Sequence, residues 1–189
     1  QAMQQAVPVG VGAMAALLGL DFEAAQGVAH DAAQSQICDI ANDNTPGQVV
    51  VSGNVEAVER AVELAKERGA RRPMLLPVSA PFHCALMQPA ADVMAEALRA
   101  SPPVAPLAPL IANVSAEAVS DPDEIRDLLV RQVTAMVRWR ESVLYLRGRD
   151  VDNLVEVGAG KVLTTMLKRI DKEISGLAVN EPDHIEAFL

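Results

Sequence analysis

The chain has 189 residues and a net charge of −9; 50% of it is hydrophobic, yet aromatics make up only 3%. That length can bury a real core, in one domain or two small ones, while the acidic charge excludes a nucleic-acid surface as the main partner and no apolar run reaches the roughly 20 residues of a membrane span. Two cysteines, Cys38 and Cys84, give neither a disulfide framework nor a metal-ligand spacing, and the start lacks the pattern of a signal peptide, so a cytoplasmic location is expected.

Gln1-Ala-Met-Gln-Gln-Ala6 reads as the end of a helix already under way, and sequence is expected to be missing before residue 1. Gly12 to Leu18 is a short apolar run with the look of a buried strand. Asp21 can cap a helix that lines up Phe22, Ala25, Val28, Ala29 and Ala32. Ile37 to Ala41 is a second strand candidate, Asn42-Asp-Asn-Thr-Pro-Gly47 a turn by composition, and Gln48 to Ser52 a third strand. Asn54 is placed to cap a helix with Val55, Val58, Val62 and Ala65 in register, stopped by Gly69. Pro73 to Val78 is the fourth strand. The resulting order, β-α-β-β-α-β, is the ferredoxin-like arrangement.

Beyond residue 80 the pattern predicts a helix over Pro89 to Ala100 with Val93, Met94, Ala97 and Leu98 inward, a stiff linker at Ser101-Pro-Pro-Val-Ala-Pro, and a strand over Leu107 to Val114. Asp121-Pro-Asp-Glu124 starts a helix whose stripe is Ile125, Leu128, Leu129, Val133 and Met136. A helix over Arg138 to Leu146, a strand over Asn153 to Val157, a helix over Lys161 to Ile170 and a strand over Leu177 to Asn180 complete the chain.

The residue with most chemical promise is His83, in Leu76-Pro-Val-Ser-Ala-Pro-Phe-His83-Cys-Ala-Leu-Met87. It follows a strand, where open α/β sheets place their ligands. Taken by itself, such a histidine fills or caps a loop as readily as it catalyses. Gln132 lies on or beside an apolar stripe near a helix end. It is either a boundary side chain reaching water or a residue whose free carbonyl accepts from an imidazole. Gly158-Ala-Gly-Lys161 is not a phosphate loop: Val155 stands where the first glycine belongs and Val162 where Ser or Thr belongs. No serine has the Gly-x-Ser-x-Gly context. Cys84 reads as a small buried residue, and His30 and His184 as surface residues on helices.

Ala80-Pro-Phe-His-Cys-Ala-Leu-Met87, Asn44-Thr-Pro-Gly-Gln-Val-Val-Val-Ser-Gly53, Leu129-Val-Arg-Gln-Val133 and Glu156-Val-Gly-Ala-Gly-Lys-Val-Leu163 occur in one chain. Gly10-Val-Gly-Ala-Met14 and Val179-Asn-Glu-Pro182 add to them. Together they closely resemble the malonyl-CoA:acyl-carrier-protein transacylases, over essentially the whole chain. The resemblance implies an α/β fold: the end of a core helix at 1–8, a ferredoxin-like subdomain at 9–79, and the C-terminal part of an α/β-hydrolase-like core at 80–189. It implies His83 as the base of a Ser-His dyad and Gln132 as the residue whose main-chain carbonyl orients the imidazole. The partners implied are malonyl-CoA and acyl carrier protein, with no metal or redox cofactor. The family's nucleophilic serine, a carboxylate-binding arginine and an oxyanion-hole glutamine are absent, and their places lie upstream of Gln1.

Phe82, beside His83, either fills space or crowds a 2-methyl substituent and so favours malonyl over branched acyl groups. Arg71 and Arg72 are either a solvated turn or a basic patch for an acidic carrier. Two other functions fit less of the sequence. An acyltransferase domain of a polyketide synthase would continue beyond Asn180-Glu-Pro182. A non-catalytic ferredoxin-like module would leave the four ordered motifs without a reason. An elbow serine and an arginine upstream of Gln1 would favour the enzyme, and a start codon there the module.

Overall fold

The computed structural model describes residues 2–188. After α1 (Ala2–Gln5), β1 (Gly12–Leu18) is buried on both faces, which is why it reads as continuously apolar. Ala15 and Leu17 face α2 (Phe22–Ala33), while Met14 and Ala16 join Ala41, Val50 and Phe82 on the opposite side. Asp21 caps α2, its carboxylate accepting from the Ala24 N–H at 2.8 Å. The sheet continues with β2 (Cys38–Thr45) and β3 (Gln48–Asn54), then α3 (Val55–Glu67) and β4 (Arg72–Leu75). Its order is β2-β3-β1-β4, antiparallel throughout, which is the expected ferredoxin-like arrangement. Ala25, Ala29 and Ala32 meet Ala57, Ala61 and Ala65 beneath the sheet, so small residues do the close packing that the scarce aromatics cannot.

Several boundaries differ from the expectation. Asn42 to Thr45 belongs to β2, and only Pro46-Gly47 makes the turn, with Gly47 at φ 74. Two register shifts let this polar stretch stay paired, and it is wanted there because Asp43 meets the second half of the chain. β4 ends at Leu75 rather than Val78: Leu76 still donates to the Met14 carbonyl, but Pro77 has no N–H to extend the ladder. Asn54 does precede α3, yet its side chain accepts from the Ile37 N–H and not from α3.

The second half begins with a single 3₁₀ turn at Ala85–Met87 and α4 (Gln88–Ala100). The buried residues of α4 are Ala90 and Ala91; Met94 and Leu98 are half-buried, but Val93 and Ala97 face out, so the inward face is shifted toward the helix start. Instead of a strand from Leu107 to Val114 there is a two-residue ladder, β5 (Leu110–Ile111) with β6 (Ala118–Val119), which starts only after Pro109 and gives way to a turn over 113–115. α5 (Pro122–Arg131) starts at Asp121, whose carboxylate takes the Glu124 N–H at 2.9 Å; it stops before Met136. α6 (Trp139–Arg147), β7 (Asn153–Val157), α7 (Val162–Ile170), β8 (Ser175–Val179) and α8 (Pro182–Phe188) follow. β7 and β8 pair in parallel, and α7 is the crossover such a pair requires.

The two halves are joined at β2. Asp43 donates its N–H to the Val137 carbonyl at 3.0 Å, and the Val137 N–H returns to Ala41 at 2.8 Å. The Asp43 carboxylate is 1% exposed and is met by Arg140 at 2.6–3.1 Å through three contacts. Removing one partner of a buried ion pair strands the other charge, which costs more than losing both. Arg140→Ala is therefore expected to lower stability by about 3 kcal/mol or more, and Asp43→Ala together with Arg140→Ala by less, as read from urea denaturation. Losses that simply add in the double variant would show that the two side chains do not act as a pair.

Candidate active site

His83 has φ 60, a left-handed conformation that costs a non-glycine residue about 1 kcal/mol or more. The loop around it is fixed at several points. Pro81 packs on Gly12 so closely that a Cβ at residue 12 would lie 2.2 Å from the proline ring, so only glycine fits there. Cys84 is fully buried, its thiol on the Pro81 carbonyl at 3.1 Å, and Met87 is buried one turn later. The Ala85 N–H donates to Asp39 Oδ2 at 3.0 Å.

The imidazole reaches across to α5. His83 Nδ1 lies 3.0 Å from the Gln132 main-chain oxygen. Gln132 is the C-cap of α5: its N–H is used by Leu128, while its own carbonyl lies past the last helical bond and is free to accept. A carbonyl can only accept, so Nδ1 carries the proton in a neutral ring and Nε2 keeps its lone pair. The Gln132 side chain is held separately, Oε1 accepting from Asn113 Nδ2 at 3.1 Å, and the Asn113 carbonyl takes the Arg138 N–H at 3.0 Å. The arrangement holds an oriented imidazole whose far nitrogen is available for a proton.

Phe82 is half-buried between the cluster around Met87 and that around Met14. Arg71 and Arg72 are exposed but distant. They pair with Leu18 at one end of β1, whereas Pro81 packs on Gly12 at the other, about 20 Å along the strand. The structure thus unites His83, Phe82 and Gln132 and keeps the arginines apart from them. Burial pushes the Cys84 thiol up, and Cys38 to about 12, so neither suits a nucleophile. His30 and His184 are exposed as expected.

The Gly158–Gly160 turn has a different purpose from phosphate binding. Glu156 Oε2 accepts from the Thr164 N–H at 2.8 Å and its hydroxyl at 2.7 Å, and Oε1 accepts from the Leu163 N–H at 3.1 Å. Those Thr164 bonds, the backbone one first, hold the carboxyl below its usual pKa. Asn180 donates to the Gly160 carbonyl. Among the described residues, no group of three His, Cys, Asp or Glu side chains is arranged to hold a metal, and no helix is long and apolar enough to cross a membrane. Sequence reasoning missed Asp39, Asp43, Asn113 and Arg140. Only Glu156 carried a signal, as an acid just ahead of a helix start.

Comparison with known proteins gives a consistent result. The chain is 47% identical over 187 residues to malonyl CoA-acyl carrier protein transacylase of Escherichia coli K12, covering 99% of this chain and 60% of the relative. Its fold superposes with a TM-score of 0.96 on the crystal structure of an acyl carrier protein S-malonyltransferase from Vibrio cholerae, at 49% identity, covering 100% of this chain and 62% of that one. A malonyl-transacylase solved in complex with its type II PKS acyl-carrier protein, AntF, aligns at 43% identity and a TM-score of 0.95, covering 98% and 60%. The chain therefore spans about 60% of the length of the curated relatives it matches. No protein-family model matches it.

Proposed function

The chain is a homologue of the malonyl CoA-acyl carrier protein transacylases, and on that premise we propose that it forms the general-base half of an enzyme that moves a malonyl group from malonyl-CoA to the phosphopantetheine thiol of acyl carrier protein. The observation that carries this reading is the His83 Nδ1 contact with the Gln132 carbonyl at 3.0 Å. It makes Nε2 the base without a carboxylate partner, in the place an acid occupies in a Ser-His-Asp triad.

Nε2 takes the hydroxyl proton of a serine supplied by the rest of the enzyme. The serine oxygen attacks the thioester carbon, the carbon–sulfur bond breaks, and the imidazolium returns the proton to the departing CoA thiolate, leaving a malonyl ester. His83 then deprotonates the carrier's thiol, whose sulfur attacks that ester, and the serine oxygen recovers the proton. Every step is acyl exchange between oxygen and sulfur. The two free, buried cysteines accord with a reducing, cytoplasmic setting. The neighbour bound to a type II PKS carrier favours a polyketide carrier as a second acceptor.

In the intact enzyme, His83→Ala is expected to lower malonyl transfer by about 10²–10⁴-fold in a stopped assay with radiolabelled malonyl-CoA; a near-normal rate would remove His83 from the mechanism. Phe82, next to the base, is proposed to crowd branched acyl groups. Phe82→Ser should then raise kcat/KM for methylmalonyl-CoA relative to malonyl-CoA by about 10-fold, the size of one pocket contact, and an unchanged ratio would leave Phe82 as filler. Arg71 and Arg72 are proposed to steer the acidic carrier, whose phosphopantetheine arm must then run the length of the sheet to His83. Charge reversal at both should raise the carrier's KM at low salt and less so at high salt. Formation of the malonyl-enzyme should be little changed, and a constant carrier KM would place docking elsewhere.

A further inference from the structure

The bend at His83 is sharp and local. His83 is left-handed at φ 60, and Cys84 returns at once to extended backbone at φ −140. Such a bend persists only where the surrounding structure holds both of its ends. The near end is held by Pro81 against Gly12 and by the Phe82 N–H on the Ala80 carbonyl at 3.1 Å. On the far side, Cys84 is buried with its thiol on the Pro81 carbonyl, and the next N–H, that of Ala85, opens a 3₁₀ turn and so has no acceptor within it. Asp39 Oδ2 meets that N–H at 3.0 Å from β2, 46 residues earlier in the chain. A carboxylate on an N–H at the start of a helical turn is a charge-assisted bond, and β2 fixes where the carboxylate sits by pairing Asp39 with Ser52.

We propose that Asp39 is a positioning residue for His83: its carboxylate pins Ala85, holds the left-handed bend, and so aims Nε2 while Gln132 fixes Nδ1. Asp39 acts through its acceptor oxygen and touches no reacting atom. The inference rests on His83 being the general base. It assigns to the ferredoxin-like sheet a part in catalysis, since β2 reaches the loop that carries the base.

The test uses the intact enzyme with malonyl-CoA and carrier protein. Asp39→Ala is expected to lower kcat about 10-fold with KM for malonyl-CoA within about twofold, because misaiming a base weakens the chemical step and not substrate binding. Ala85→Pro removes the same bond from the donor side. Proline suits the first position of a helical turn, and the extended Cys84 suits the residue before a proline. Ala85→Pro should match Asp39→Ala, and the double variant should fall no further than either. Asp39→Asn keeps an acceptor without the charge and should restore kcat to within about twofold of the parent. The His83 Nδ1 proton resonance should persist in Asp39→Asn and broaden in Asp39→Ala. Full kcat in Asp39→Ala beside an inactive His83→Ala would overturn the proposal and leave His83 as the base; an active His83→Ala would end both. Equal losses in Asp39→Asn and Asp39→Ala, or losses that multiply in the double variant, would also overturn it. Should Asp39→Ala fail to fold, Ala85→Pro against Asp39→Asn carries the same decision.

Discussion

The hydrogen bond between His83 Nδ1 and the Gln132 carbonyl joins residues 49 apart in the chain, and a different local rule makes each end available. The carbonyl is free because α5 stops there and leaves its last oxygens without donors. The imidazole is within reach because the backbone at His83 is left-handed, which a loop outside a tight scaffold would abandon. A main-chain oxygen has one advantage over a carboxylate in this position. It fixes the tautomer without adding a charge, so an imidazolium formed beside it is stabilised by a dipole alone.

The bond also constrains how the two halves of the chain meet. Gln132 precedes the segment that crosses to β2, and His83 follows the strand that leaves the same sheet. Any sliding of the second half over the sheet would change the gap between them. The Asp43–Arg140 pair and the Val137 bonds to Ala41 and Asp43 resist that sliding, while the Asn113 bonds to the Gln132 side chain and the Arg138 N–H hold Gln132 in place within the second half. They are polar and directional, whereas the apolar contacts on that side of the sheet, Met14, Ala16 and Phe82 among them, tolerate small shifts.

The helices and the long strands were legible because each has a local cause. Asp21 and Asp121 cap as expected, the alanine and valine faces of α2 and α3 are buried, and β7 and α7 fall within a residue of their expected spans. The failures share a cause too. Asn42 to Thr45 has turn composition, and tertiary pairing with β3 and with Val137 overrides it. The buried face of α4 depends on which neighbours reach it, and periodicity gives a spacing without a phase. At the site, His83 and Gln132 could be suspected from residue type and placement, but their contact came only by resemblance. Asp39, Asp43, Asn113 and Arg140 were invisible, because a polar residue's partner dozens of positions away leaves no periodic trace.

The turn at Gly158–Gly160 shows how one pattern is compatible with opposite chemistry. A strand, a glycine turn and a helix start offer unsatisfied N–H groups, and an anion is the natural occupant. Here the occupant is built in. Glu156 folds back from β7 onto the N–H groups of Leu163 and Thr164, while Asn180 holds the Gly160 carbonyl from the end of β8. A phosphate at this helix start would have to displace a carboxylate that is already hydrogen-bonded and close in the chain, and would meet its negative charge while doing so. The glycines thus serve to let β7 turn tightly enough for its own side chain to cap the helix that follows, which ties the parallel pair β7–β8 to its crossover with no ligand at all.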